Sequence, residues 1–245
     1  MKKLILIGGW AMPPDILRGL GQTFSHDFDL DILTFNQHLS SSEPNSHLLG
    51  LEKCYNYLKQ NIDPVILMGW SLGGMLSIEL ANHLKDQCQA LVLINATAKF
   101  CKANDTAHGF EEKYIKALKL GLRQDKKKAL RGFYEIASFP HSIKRNELQN
   151  WIDAVESIPI KHLSQGLDYL LKTDLRLTVK KIYQPTLIIH GKQDAVVPIE
   201  AGRWLKENIP HATMISHETE GHGLPLREPR WILDKTKSHL EKCGL

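Results

Sequence analysis

Ser71 stands between two glycines in Gly69-Trp70-Ser71-Leu72-Gly73-Gly74, and a serine in a G-x-S-x-G frame can attack a carbonyl carbon. That chemistry asks for a strand before the serine and a helix after it. The apolar run Pro64-Val65-Ile66-Leu67-Met68 reads as a buried strand, and Met75-Leu76-Ser77-Ile78-Glu79-Leu80-Ala81 has a helical pattern. Ser71 therefore falls on a sharp strand-to-helix turn. On such a turn the serine backbone is strained and its hydroxyl stands clear. The helix behind it aims amide N–H groups and a positive dipole end at the reaction centre. Gly69 and Gly73 lack Cβ atoms, which lets neighbouring elements approach closely.

A serine nucleophile needs a base, and the base needs an orienting acid. In the α/β-hydrolases, which this motif resembles, the chain order is Ser, then Asp or Glu, then His. Downstream, Thr186-Leu187-Ile188-Ile189-His190 is a short apolar run, and the loop after it carries Asp194. Nearer the C-terminus, His222 lies between Gly221 and Gly223, in an open loop that can present an imidazole. The expected roles are Ser71 as nucleophile, His222 as proton acceptor and donor, and Asp194 as the acid that fixes its tautomer. His190, at a strand end, reads as structural. His217 lacks the flanking glycines, and Asp174 is the second choice of acid.

The first strand supplies the remaining part. Lys3-Leu4-Ile5-Leu6-Ile7 is a strand-like run followed by Gly8-Gly9-Trp10. The Trp10 amide and the Leu72 amide are the two expected donors to a developing oxyanion, each typically worth about 3 kcal/mol of barrier. Met1-Lys2-Lys3 with the apolar run resembles the start of a signal peptide. Gly8-Gly9 interrupts the run and no small-residue cleavage site follows, so a strand is the reading taken.

Strands that alternate with helices imply a mostly parallel sheet covered by helices on both faces, an α/β architecture. Residues 1–97 and 176–245 read as that core. Residues 98–175 have helical periodicity and read as an inserted helical cap, or lid, over the nucleophile. At 245 residues the chain is long enough for one large core with such an insertion. No apolar run approaches the ~20 residues of a membrane span. Cys54, Cys88, Cys101 and Cys243 show no metal-ligand spacing and read as reduced thiols in the cytoplasm. Neither a metal nor an organic cofactor is implied.

Charge is placed unevenly. From Lys99 to Arg145 there are twelve Lys and Arg against five Asp and Glu, a net +7. The chain as a whole carries +4, so the remainder carries −3. The basic excess, densest at Lys126-Lys127-Lys128, Arg131, Lys144 and Arg145, lies on the expected lid. It is either a solvated surface or a docking surface for an acidic partner. Nucleic acid is a poor partner, because the patch is small and no nucleic-acid-binding motif accompanies it.

With these residues in view, the chain resembles the α/β-hydrolase superfamily. Within it, the chain is similar to the pimeloyl-acyl-carrier-protein methyl ester esterases of biotin synthesis. The resemblance covers most of the chain. It rests on Gly8-Gly9-Trp10, the Gly69–Gly74 hexapeptide and Arg131-Gly132-Phe133. A further part is Gly166-Leu167-Asp168-Tyr169-Leu170-Leu171-Lys172-Thr173-Asp174-Leu175-Arg176. Gly8-Gly9 stands where His-Gly is common, and Gly223-Leu224-Pro225 where a small residue and then Pro is usual.

The resemblance implies Ser71, Asp194 and His222 as the triad, with Trp10, Leu72 and Phe133 lining the substrate site. It implies removal of a methyl group from a pimeloyl chain held on acyl carrier protein, an acidic partner. That carrier would meet the lid at Lys127, Lys128, Arg131 and Arg145. Two other readings stay open: a short-chain carboxylesterase or other small-metabolite hydrolase, and a degenerate hydrolase fold used as a binding module.

Overall fold

The computed structural model describes residues 1–34, 56, 58–59, 63–102 and 109–245. Six strands form one sheet: β1 (Lys2–Ile7), β2 (Phe28–Leu33), β3 (Val65–Trp70), β4 (Cys88–Ile94), β5 (Thr186–Gly191) and β6 (Ala212–His217). Their order is β2-β1-β3-β4-β5-β6, and all five pairings are parallel. The run that could open a signal peptide is strand β1.

Burial follows position in the sheet. β3 is buried at every residue, as expected of a strand covered on both faces. β2 and β6, at the edges, are only partly buried. On the β2 edge, Asp29 and Asp31 both pair with Lys3 of β1, at 3.3 and 2.9 Å. Charges of this kind discourage a further strand from adding there.

Helix α1 (Pro14–Ser25) begins with Pro at its first position, where no amide donor is needed. Helix α2 (Leu72–Leu84) follows β3 directly and is almost wholly buried. Between β4 and β5 lie α3 (Glu112–Gln124), α4 (Lys126–Ser138), α5 (Arg145–Glu156), α6 (Ile160–Lys172) and the short α7 (Arg176–Val179). The chain ends with α8 (Ile199–Asn208), the short α9 (Leu224–Arg227) and α10 (Pro229–Lys242). None of the described helices is long and apolar enough to cross a membrane.

Two features of this topology position a site. β1 is flanked by β2 on one side and β3 on the other, so the strand order reverses between β1 and β3. A crevice opens at the carboxyl ends of strands at such a point. The register sets Ile7 beside Gly69, which brings the loop after β1 against the turn after β3. The helices between β4 and β5 are fastened to that same loop. Tyr134 Oη of α4 donates to Ala11 O at 2.6 Å, and Trp10 Nε1 donates to Leu163 O of α6 at 2.8 Å.

Candidate active site

Ser71 has φ 57° and ψ −120°, a left-handed conformation that costs a non-glycine residue about 1–3 kcal/mol. The surroundings over-determine it. The Ser71 amide donates to Ile94 O at 2.9 Å, and Ser71 O accepts from Gly74 N at 2.9 Å. The glycines on either side have no alternative. A Cβ on Gly69 would lie 2.3 Å from Gly73 O, and one on Gly73 would lie 2.1 Å from Ile7 O. Ser71 occupies the N-cap of α2, yet its side chain makes no capping bond. The hydroxyl is left to face a cavity.

That cavity has a volume of 620 Å³ and is mostly apolar. Ser71, Trp10, Phe133, Phe100 and Leu167 line it, with Lys128 among its few charged residues. One face of α4 forms a wall: the N-cap Asp125, then Lys128, Ala129, Gly132, Phe133 and Ile136 recur at helical spacing. At 1.5 Å per residue, Asp125 and Phe133 are about 12 Å apart along it. Phe133 meets Trp10 edge to face, with centroids 4.7 Å apart and planes at 85°. Trp10 is buried, and the backbone of Gly9 runs close to Ser71, since a Cβ built on Gly9 would sit 3.4 Å from that of Ser71.

Leu72 is fully buried and does not line the cavity. What it can offer is its amide. As the first residue of α2, its N–H has no intrahelical carbonyl to bind.

His222 Nδ1 and Asp194 Oδ2 lie 2.8 Å apart, both buried. The other Asp194 oxygen accepts from the amides of Val196 and Val197, each at 2.8 Å. With Oδ1 occupied by donors, Oδ2 is directed at the imidazole, so Nδ1 carries the proton and donates it. Nε2 is then the nitrogen available as a base.

The other candidates have separate duties. His190 Nε2 donates to Val197 O at 2.8 Å, and desolvation holds its imidazole below the usual pKa, in the neutral form. His217 packs edge to face on Trp231. Asp174 pairs with Arg176 at 2.7 Å and with Lys99 at 2.9 Å, which holds its carboxyl well below the usual range. Its partners are two cations and not an imidazole.

The basic surface is partly neutralised. Lys126 donates to the carbonyls of Val155, Glu156 and Ile158, and Lys127 pairs with Glu156 at 2.7 Å. Lys128, Arg131, Lys144 and Arg145 remain exposed, with no ion-pair partner among the described residues. Cys88, Cys101 and Cys243 are free thiols, and Cys54 lies outside the described residues. Among the described residues no cluster of His, Cys, Asp or Glu could hold a metal ion.

Several partners were not legible beforehand. Trp70 Nε1 donates to His222 O at 3.0 Å, and Asn95 reaches the same carbonyl. Glu220 meets His141 at 2.9 Å, joining the His222 loop to the chain after α4. For Asn95 there was a faint signal: a polar residue of a type that tolerates left-handed backbone, set at the end of an apolar strand.

Residues 51–229 match the family model described as Hydrolase_4, serine aminopeptidase, S33. The chain belongs to this α/β-hydrolase family. It is a hydrolase, and the parallel sheet with its strand-turn-helix at Ser71 is the fold of that family. A pimeloyl-[acyl-carrier protein] methyl ester esterase from Nitrosomonas europaea is 26% identical over 224 residues, covering 89% of this chain and 88% of the relative. The enzyme of that name from Nitrosospira multiformis is 28% identical over 215 residues, covering 84% and 82%. Among solved structures, an esterase from Exiguobacterium antarcticum superposes with a TM-score of 0.86 at 21% identity, covering 98% of this hydrolase and 92% of that chain. That last likeness speaks for the fold alone.

Proposed function

We propose that this hydrolase is a serine carboxylesterase that cleaves the methyl ester of a pimeloyl chain carried on acyl carrier protein, acting in the cytoplasm in biotin synthesis. The observation that carries the reading is the apolar cavity. Ser71 and Phe133 line it together with one face of α4, and Asp125 and Lys128 are its charged residues. A short apolar acyl chain suits that wall. A carrier protein is too large to enter, and would rest outside against the inserted helices, here read as a lid. The esterase names of the relatives support the same substrate.

In this reading Ser71 Oγ attacks the ester carbonyl carbon while His222 Nε2 takes the hydroxyl proton. The Trp10 and Leu72 amides donate to the oxyanion that forms. Asp194 stabilises the imidazolium through Nδ1–H. The tetrahedral intermediate collapses, the C–O bond to the methoxy group breaks, and His222 gives its proton to the departing methanol. Water, deprotonated by His222, attacks the acyl-enzyme; the bond to Ser71 Oγ breaks, His222 returns the proton to that oxygen, and the acid is released. Trp10 and Phe133 hold the acyl chain, and Leu72 contributes through its backbone.

Comparing kcat/KM for a carrier-linked pimeloyl methyl ester with that for a small free methyl ester tests the proposal. A preference for the carrier-linked ester that weakens with salt is the expected result. Equal or better hydrolysis of short free esters, with no response to the carrier, would make this a short-chain carboxylesterase. No turnover of either, with no fluorophosphonate adduct, would leave a binding module.

A further inference from the structure

Asn95 is the first residue after β4. It is fully buried, and it has φ 47°. Its backbone and side chain are committed in four directions. Its amide donates to Ile189 O of β5 at 2.9 Å. Its Oδ1 accepts from Gly191 N, the last residue of β5, at 2.9 Å. Its Nδ2 donates to Gly221 O and to His222 O, both at 3.0 Å. One amide donor and two carbonyl acceptors surround the side chain, so its orientation is fixed by chemistry: Oδ1 must face Gly191 and Nδ2 must face the His222 loop.

The two ends of this side chain hold different loops. Gly191 opens the loop that carries Asp194, and the Asp194 amide donates back to Gly191 O at 3.2 Å. Gly221 and His222 belong to the loop of the base. The loops already touch, since Gln193 N donates to Glu220 O at 2.9 Å. They are packed so closely that a Cβ on Gly191 would sit 2.4 Å from Glu220 O. Asn95, which belongs to neither loop, is a buried side chain that bonds both.

We propose that Asn95 is a positioning residue that sets the separation of Asp194 and His222, and so the alignment of the base toward Ser71. The proposal rests on the triad reading above. Asn95 touches neither substrate nor the reacting atoms. Its left-handed backbone, together with its buried donor and acceptor, is the kind of local strain that persists only where the surroundings require it.

Two variants test it. Asn95→Gly suits the positive φ and deletes the clamp. Asn95→Asp keeps the acceptor for Gly191 N–H and removes the donor to the His222 loop. The readouts are kcat and KM on a small ester, thermal melting, and the proton resonance of the His222 Nδ1–H donated to Asp194. That resonance is assigned by its loss in Asp194→Asn, and it does not depend on any substrate.

Both variants are expected to fold, to lose kcat by about 10- to 100-fold with KM within about threefold, and to lose or broaden the resonance. Wild-type kcat with an intact resonance in Asn95→Gly would overturn the proposal. So would a fall in kcat that only tracks the unfolded fraction while the folded molecules keep the resonance. Failure of the triad reading is separate: Ser71→Ala would then retain turnover, whatever the Asn95 variants do to the resonance.

Discussion

Trp10 and Phe133 are 123 residues apart in the chain and meet edge to face with ring centroids 4.7 Å apart. One follows the first strand, and the other sits on a helix inserted between β4 and β5. Both rings line the cavity that Ser71 faces. Their contact joins the loop after β1 to the α4 wall of the cavity, the two parts to which the proposed function gives the oxyanion and the acyl chain.

Asp194→Asn should lower kcat by about 10⁴-fold with KM little changed. An amide at Oδ2 presents a donor to Nδ1, which forces the wrong tautomer on His222. Steady-state kinetics on a small ester checks this. Asp174→Asn should alter kcat no more than a fewfold, because its carboxylate faces Lys99 and Arg176.

Asp174 should instead show in stability. Its carboxyl is held below the usual range in the folded state, chiefly by the Arg176 guanidinium and also by Lys99. A depressed folded pKa contributes stability above the unfolded value near pH 4, and that contribution is lost as pH falls toward the folded value. Asp174→Asn should therefore melt below the wild type at pH 7, with the gap closing below about pH 4. Melting curves across pH 2 to 8 would check both arms.

Gly73→Ala should lower the melting temperature by about 5 °C or more, since its Cβ would press on Ile7 O at 2.1 Å and backbone cannot move aside cheaply. Gly19→Ala on α1 is the contrast. A Cβ there meets nothing within 4 Å, so the better helix former should raise the melting temperature slightly.

The turn at Ser71 and the loops that carry Asp194 and His222 were legible because each is announced locally. Glycines flank Ser71, an apolar run precedes Asp194, and glycines flank His222. The inserted helices were legible from their 3.6-residue period. What escaped was set by long-range packing. Trp70 and His222, 152 residues apart, meet only after the sheet has formed. The same holds for Asn95 and Gly221. Lys127 read as a contact for an acidic carrier, and the fold pairs it with Glu156 of α5. Leu72 read as a substrate contact by resemblance, and the fold buries its side chain beneath the turn.

Charge reversal at Arg131 and Arg145 together should raise KM for a carrier-linked ester several-fold and leave a small free ester unaffected. Each exposed pair with an acidic carrier is worth only about 0–1 kcal/mol, so single changes should be mild. The effect should act on encounter and fade as salt is raised. Equal effects on both substrates, or no dependence on salt, would make the basic face an ordinary solvated surface.

In the proposed mechanism Ser71 is the nucleophile, activated by His222 and Asp194. Intact-mass and peptide mass spectrometry after fluorophosphonate treatment tests it most directly. One adduct per chain is expected, on Ser71, forming orders of magnitude more slowly in His222→Ala and absent in Ser71→Ala, which also loses turnover. An adduct on another residue, or wild-type turnover in Ser71→Ala, would contradict it.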